Sequence, residues 1–143
     1  MTIFPSFCYQ GVQVSVDLED FKESGKHVYS IQQRASGSGT NCAGSGDIYD
    51  PYGEKYATSG NLCSQSNPGS CMAGDLSGKN GELLKNPSSQ TATAFFTDSS
   101  LTFMDLYGKA ILIRSKDATI LACADIGIVL ILFASSCCCC CCF

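Results

Sequence analysis

A chain of 143 residues with nine Lys plus Arg against thirteen Asp plus Glu, a formal net charge of −4, is one ordinary domain. Its scattered basic residues offer no surface for nucleic acid. His27 is the sole histidine, which excludes a site built from clustered imidazoles and, with it, most transition-metal catalysis.

Residues 1–8 have no basic start and no apolar run of export-signal length, so the expectation is a truncated start or an absent signal. Residues 11–18 alternate Val12, Val14, Val16 and Leu18 with Gln13, Ser15 and Asp17, the pattern of a half-buried strand. A polar connection, 20–25, follows. Asp17, Glu19, Asp20 and Glu23 read as a solvated turn, because the ligand spacing and central glycine of a calcium loop are lacking. Residues 26–33 alternate again, with Val28, Ser30 and Gln32 on one side and His27, Tyr29, Ile31 and Gln33 on the other. This is a strand with two chemically different faces, expected to lie antiparallel beside the first.

Residues 35–46 form a Gly/Ser loop around Cys42 that is no phosphate cradle, since no Lys-Ser/Thr follows it. Turn residues occupy 47–53, and 53–87 has few apolar pairs, a long irregular excursion that something must fasten or use. Short strands are expected at 91–96 and 101–106, a buried one at 109–114 and a last one at 119–129. The clustered Gly and Ser between these short alternations point to an all-β domain. A Ser-His-Asp triad is not supported by a single histidine.

Of eleven cysteines, six form one uninterrupted run at 137–142. The other five, Cys8, Cys42, Cys63, Cys71 and Cys123, permit two bridges and one leftover thiol and suggest an oxidising compartment. Free buried thiols are the alternative, because Cys packs well as a small hydrophobe. The tail, apolar from 126 to 133 and then cysteine-rich, admits three readings. It is a low-complexity end, an acylated membrane-proximal patch, or a thiolate cluster for soft metals. As a span, residues 126–143 fall short of the usual length of about twenty.

Several landmarks occur in a fixed order: residues 12–21, the strand 27–33, Gly46-Asp-Ile-Tyr-Asp-Pro51, Cys71-Met-Ala-Gly-Asp-Leu-Ser-Gly78, 108–114, and Leu121-Ala-Cys-Ala-Asp-Ile-Gly127. Together they resemble the copper/zinc superoxide dismutase family, most closely its extracellular copper-only and repeat-type members, over roughly residues 10–128. The resemblance implies a Greek-key β-sandwich or barrel with the N-terminal strand or strands missing and a long loop fastened by disulfides. The implied bridges are Cys42 to Cys123 and Cys63 to Cys71.

It also implies where a metal site would lie. The family's copper histidines fall on Ser30, Gln32, Ile48 and Arg114, and a zinc histidine on Met72, while Asp75 keeps the place of the zinc aspartate. His27 takes the place of a non-metal histidine that ties loops together, and Ile120 that of the arginine that steers superoxide. Ser and Gln are weak copper donors, Ile is none, and Arg repels the ion. The expectation is therefore a superoxide dismutase-like domain at 1–128, without cofactor or catalysis, and an apolar, poly-cysteine tail at 129–143. Such a pseudoenzyme is expected to be extracellular or on the cell surface and to act by binding a protein partner or itself through the incomplete sheet edge. The alternatives are a copper- or zinc-binding dismutase with a divergent site, and a tail that binds metal or attaches to a membrane.

Overall fold

The computed structural model describes residues 2–5, 11–19, 25–37, 42–53, 62–86 and 88–127, the first of these as backbone only. In chain order the elements are β1 (Thr2–Pro5), β2 (Val12–Leu18), β3 (Lys26–Gln32), α1 (Leu76–Asn80), β4 (Leu83–Leu84), β5 (Ala92–Asp98), α2 (Phe103–Leu106), β6 (Ala110–Arg114) and β7 (Ile120–Asp125). Short 3-10 turns occupy Cys42–Ser45 and Pro68–Ser70. The tail from residue 128 lies outside the described residues, as does Cys8.

The strands form two sheets, β1-β2-β5 and β4-β3-β6-β7, in which all the paired strands are antiparallel. An isolated bridge between Lys85 and Ala92 joins the sheets at one corner, so the strand order runs around the molecule from β1 to β7. The alternation of β2 sends Val12, Val14 and Val16 inward, each 1 % exposed or less. Complete burial of a valine contributes on the order of 1.5–3 kcal/mol. From the other sheet Tyr29, Ile31, Ile111 and Ile113 close the core, and Leu76, Leu83, Leu101 and Leu106 fill it from the connections and the short β4. The Tyr29 and Phe96 rings meet between the layers, tilted, with centroids 6.2 Å apart.

Two sequence expectations are corrected. Strands β2 and β3 are not hydrogen-bonded neighbours: β2 pairs with β1 and β5, whereas β3 pairs with β4 and β6. Both carry an apolar face, and they lie in different sheets, so the two faces oppose across the core rather than sharing a sheet. Residues 101–106 are not a strand but contain α2, started by a capping box. The Thr102 N–H and hydroxyl donate to Asp105 Oδ2 at 2.8 and 2.6 Å, and the Asp105 N–H returns to Thr102 Oγ1 at 3.4 Å. That local pairing satisfies the first turn and overrides the apolar alternation. The excursion 53–87 is also more regular than expected, since it contains α1 and β4.

The long connection is bolted to β5 by a buried ion pair. Lys79 Nζ lies 2.5 Å from Asp98 Oδ2, with both side chains less than a tenth exposed. The ammonium also donates to Ala73 O at 2.6 Å and Ser100 Oγ at 2.7 Å, while Asp98 Oδ1 accepts the Ser100 N–H and hydroxyl. Removing one member strands the other charge in the interior. Lys79→Met is therefore expected to destabilise the domain by about 3–5 kcal/mol in urea unfolding, and pairing it with Asp98→Leu to recover most of that loss.

Candidate functional site

The site is built on the edge of β3 that faces β4. Strand β4 covers only Lys26 and His27, so the backbone of β3 beyond that point needs partners from elsewhere. Loops supply them. The Tyr29 N–H donates to Ser77 Oγ at 2.5 Å, and the same hydroxyl donates to Tyr29 O at 2.8 Å. Farther along, the Ile31 N–H donates to Gly74 O at 2.8 Å and Ile31 O accepts the Tyr49 N–H at 2.9 Å. Gln33 N–H and Arg34 N–H go to Asp47 O and Ser45 O, at 2.9 and 3.0 Å. Two segments, 45–49 and 74–77, thus take the place of a neighbouring strand. They are also tied to each other, Gly74 N–H to Tyr49 O at 2.7 Å. A Cβ on Gly74 would stand 2.5 Å from Ile31 O and 2.9 Å from Tyr49 N and O, so only glycine fits this crossing.

Ser30 and Gln32 lie on the face of β3 away from the core, yet Ser30 is 8 % exposed and Gln32 0 %. Gln32 Nε2 donates to Ser30 Oγ at 2.7 Å. Across β6 their register partners are Leu112 and Ala110, and beyond these, on β7, Cys123 and Asp125. Directly opposed residues share a face, so these six side chains project from one surface. The Cys42–Cys123 disulfide and the hydrogen bonds from Ser36 N–H and Oγ to Asp125 Oδ1 draw Cys42 and Ser36 onto that surface. The second bridge, Cys63–Cys71, closes the turn that leads to Gly74. Both pairings are those the sequence resemblance implies.

Solved structures resemble this arrangement. A mutant of superoxide dismutase 5 from Candida albicans matches with a TM-score of 0.68 and 22 % identity, over 86 % of this chain and 74 % of that one. The Cu(II) form of the same enzyme matches with a TM-score of 0.66 and 23 % identity, over 86 % and 76 %. The chain has a copper/zinc superoxide dismutase-like fold. No known family profile matches the sequence, and no curated protein matches it either.

Within this superoxide dismutase-like fold the residues singled out from the sequence fall in three groups. Ser30 and Gln32 bond each other, and Ile48 faces Gln32 across an isolated antiparallel bridge. Arg114 stands at the end of β6, opposite Val28 and Ile120, two pairs along the strands from Ser30. Met72 and Asp75 share a turn, the Asp75 N–H donating to Met72 O at 2.9 Å, and Asp75 Oδ1 accepts the Gly78 N–H at 2.8 Å. His27 is buried at 1 % exposure on the core side of β3, opposite Leu83, the face opposite to that of Ser30 and Gln32. A hydroxyl and amide already joined, an alkyl group and a guanidinium do not fit a copper ion, which takes imidazole or soft sulfur. With both bridges closed, no group of three or more His, Cys, Asp or Glu among the described residues is placed to hold a metal.

One cluster escaped the sequence reading. Tyr49 donates its hydroxyl to Asp105 Oδ1 at 2.9 Å and stacks under Lys109, whose Nζ lies 4.1 Å from the ring centroid. Reading 101–106 as a strand hid it, because only α2 turns Asp105 toward Tyr49. Burial, then the bond to Asp105, pushes the Tyr49 phenol up to about 12. Burial works against the Asp105 carboxylate, but the Thr102 and Tyr49 hydrogen bonds and the Lys109 charge outweigh it and hold the carboxyl below its usual range. Tyr29 is also raised to about 12, by burial and by the charges of Asp75 and Asp98.

Two outcomes are expected. Gly74→Ala should destabilise the domain by about 3 kcal/mol or more in urea unfolding, because the methyl cannot enter without breaking the Ile31 bonds. Alkaline titration should show two phenols ionising near 12 while the folded state persists. Because their folded values exceed the ordinary 10, their contribution to stability is complete below pH 10 and is lost as the pH rises from there through 12. Asp105 has the opposite sign, with a contribution complete above its ordinary value and lost as the pH falls through its lower folded one. Tyrosine absorbance read alongside circular dichroism across the alkaline range checks the first pair.

Proposed function

We propose that this chain is a non-catalytic superoxide dismutase-like module that acts through protein contacts outside the cell or at its surface. The observation that carries this reading is the buried Ser30–Gln32 hydrogen bond, between two residues to which the sequence resemblance assigns the places of copper histidines. One-electron dismutation needs a redox metal, since no side chain supplies that chemistry. The chain has one histidine to offer it, and His27 points to the other side of β3. Arg114 and Ile120 pair at the ends of β6 and β7, and the sequence resemblance assigns them the places of the last copper ligand and the anion-steering arginine. A permanent cation repels copper, and an alkyl side chain guides no anion.

What remains is a scaffold with closed loops. Two disulfides favour an oxidising setting, as secreted and surface proteins have. Contact with a partner or a second copy is assigned to the ends of the strand order, where β1 pairs only with β2 and β7 only with β6 among the described strands. Free strand edges are templates for pairing with another chain.

The test is metal content by mass spectrometry with a superoxide assay. The oxidised full chain, loaded with copper and zinc, is compared with the same chain carrying Ser at 137–142. The expected result is no stoichiometric copper and no dismutation from the Ser-tail chain. Stoichiometric copper on that chain with dismutase activity would overturn the reading, whereas copper on the native chain alone would put the metal on the tail thiols and leave the folded domain non-catalytic.

A further inference from the structure

The carboxylate of Asp75 has one conventional bond, from the Gly78 N–H to Oδ1, and one contact that this chemistry does not explain. Its Oδ2 rests 3.3 Å from Cys63 Sγ, a disulfide sulfur with no proton to give. The approach depends on Gly78. A Cβ there would overlap Cys63 Sγ and stand 2.5 Å from Asp75 Oδ2, so the glycine leaves a cradle in which sulfur and carboxylate meet. Cys71 is bonded to Cys63 and lies eight residues away in sequence, with a Cα–Cα distance of 4.5 Å. One sulfur therefore meets the carboxylate oxygen directly, and the second is bonded to the first.

We propose that Cys63, Cys71 and Asp75 form a divalent-cation site of the zinc type that exists only when the Cys63–Cys71 bridge is open. The chemistry balances as follows. A dithiol reductant gives two electrons and two protons to the disulfide and is itself oxidised to a disulfide, leaving two thiols. Zinc then displaces both thiol protons and accepts the two thiolates and the Asp75 carboxylate as ligands. The geometry agrees. Zinc–sulfur and zinc–oxygen bonds of about 2.3 and 2.0 Å at a tetrahedral angle put ligand sulfur and oxygen about 3.5 Å apart. Cys63 Sγ and Asp75 Oδ2 are already at 3.3 Å. The two sulfurs need to part to about 3.8 Å, which the release of their bond allows. Three protein donors leave the fourth position to water.

This site is separate from the Ser30–Gln32 face and does not rest on the proposed function. It uses thiolates that the closed bridge withholds, so the same residues are either a staple or a cation site. Reoxidation and metal binding then compete for the same sulfurs. A chain that meets zinc before its bridge closes carries the cation, and oxidation releases it.

The test uses full-length protein with Ser at Cys8 and at 137–142, to remove competing thiols. It is reduced, freed of reductant without air and titrated with Co2+ as a spectroscopic substitute for zinc. One equivalent of cobalt with thiolate-to-cobalt charge-transfer absorption is expected, and none in the oxidised protein. Cys63→Ser should abolish the absorption, Asp75→Asn should weaken binding at least tenfold, and Cys42→Ser should leave it in place. Circular dichroism follows the fold of each reduced variant. Absence of the charge-transfer band in the reduced protein overturns the proposal. So does binding that survives Asp75→Asn unchanged, including binding by an unfolded reduced chain, since that marks a loose pair of thiols without the carboxylate.

Discussion

Everything around the candidate site depends on how the edge of β3 is completed. A strand inside a folded domain cannot leave its N–H and C=O groups without partners, and β4 is too short to serve beyond His27. The loops at 45–49 and 74–77 make up the difference with six backbone or hydroxyl hydrogen bonds from Tyr29 to Arg34. Because those bonds come from loop backbone, the loop shapes are as determined as a strand would be. The same fastening brings Ile48 opposite Gln32 and sets Asp75 at the start of α1. A change at Gly74 or Ser77 therefore reaches residues on both faces of β3.

The face of β3 away from the core shows what burial requires of polar side chains. Ser30 and Gln32 are polar and nearly inaccessible, a placement that is costly unless the groups are bonded. Their mutual hydrogen bond meets part of that need. The overlying region is held by a covalent bond at Cys123 and by the Asp125 carboxylate, which the Ser36 hydroxyl and N–H hold below its ordinary titration range. The enclosure is thus fastened at its rim, by the disulfide on one side and the Ser36–Asp125 hydrogen bonds on the other.

The strands were largely legible in the sequence, and their partners were not. Alternation in β2, β3 and β5 and the apolar run of β6 mark strands, because a period of two is a local property. Whether β2 and β3 share a sheet or face each other across a core depends on residues far away, such as Phe96 opposite Val14 and Ile113 opposite Tyr29. Pattern alone cannot supply that. At 101–106 the reverse held: the Thr102–Asp105 capping box was present in the letters but lost to the stronger apolar alternation. The cysteine pairs followed from the family likeness, since an odd set of five permits many pairings. Nothing in the sequence marks Ser77 as a substitute for a strand, because its role exists only once β4 is seen to end early.

The bond between Cys42 and Cys123 has a further consequence for the order in which the protein acquires its shape. It spans 81 residues and joins an early loop to the final described strand. During synthesis from the N-terminus, β3 emerges long before β7, so the Ser30–Gln32 face stays uncovered until nearly the whole domain is available. Until β7 pairs with β6 and Cys123 meets Cys42, that face is open along one side. The seal therefore needs an early and a late part of the described chain together.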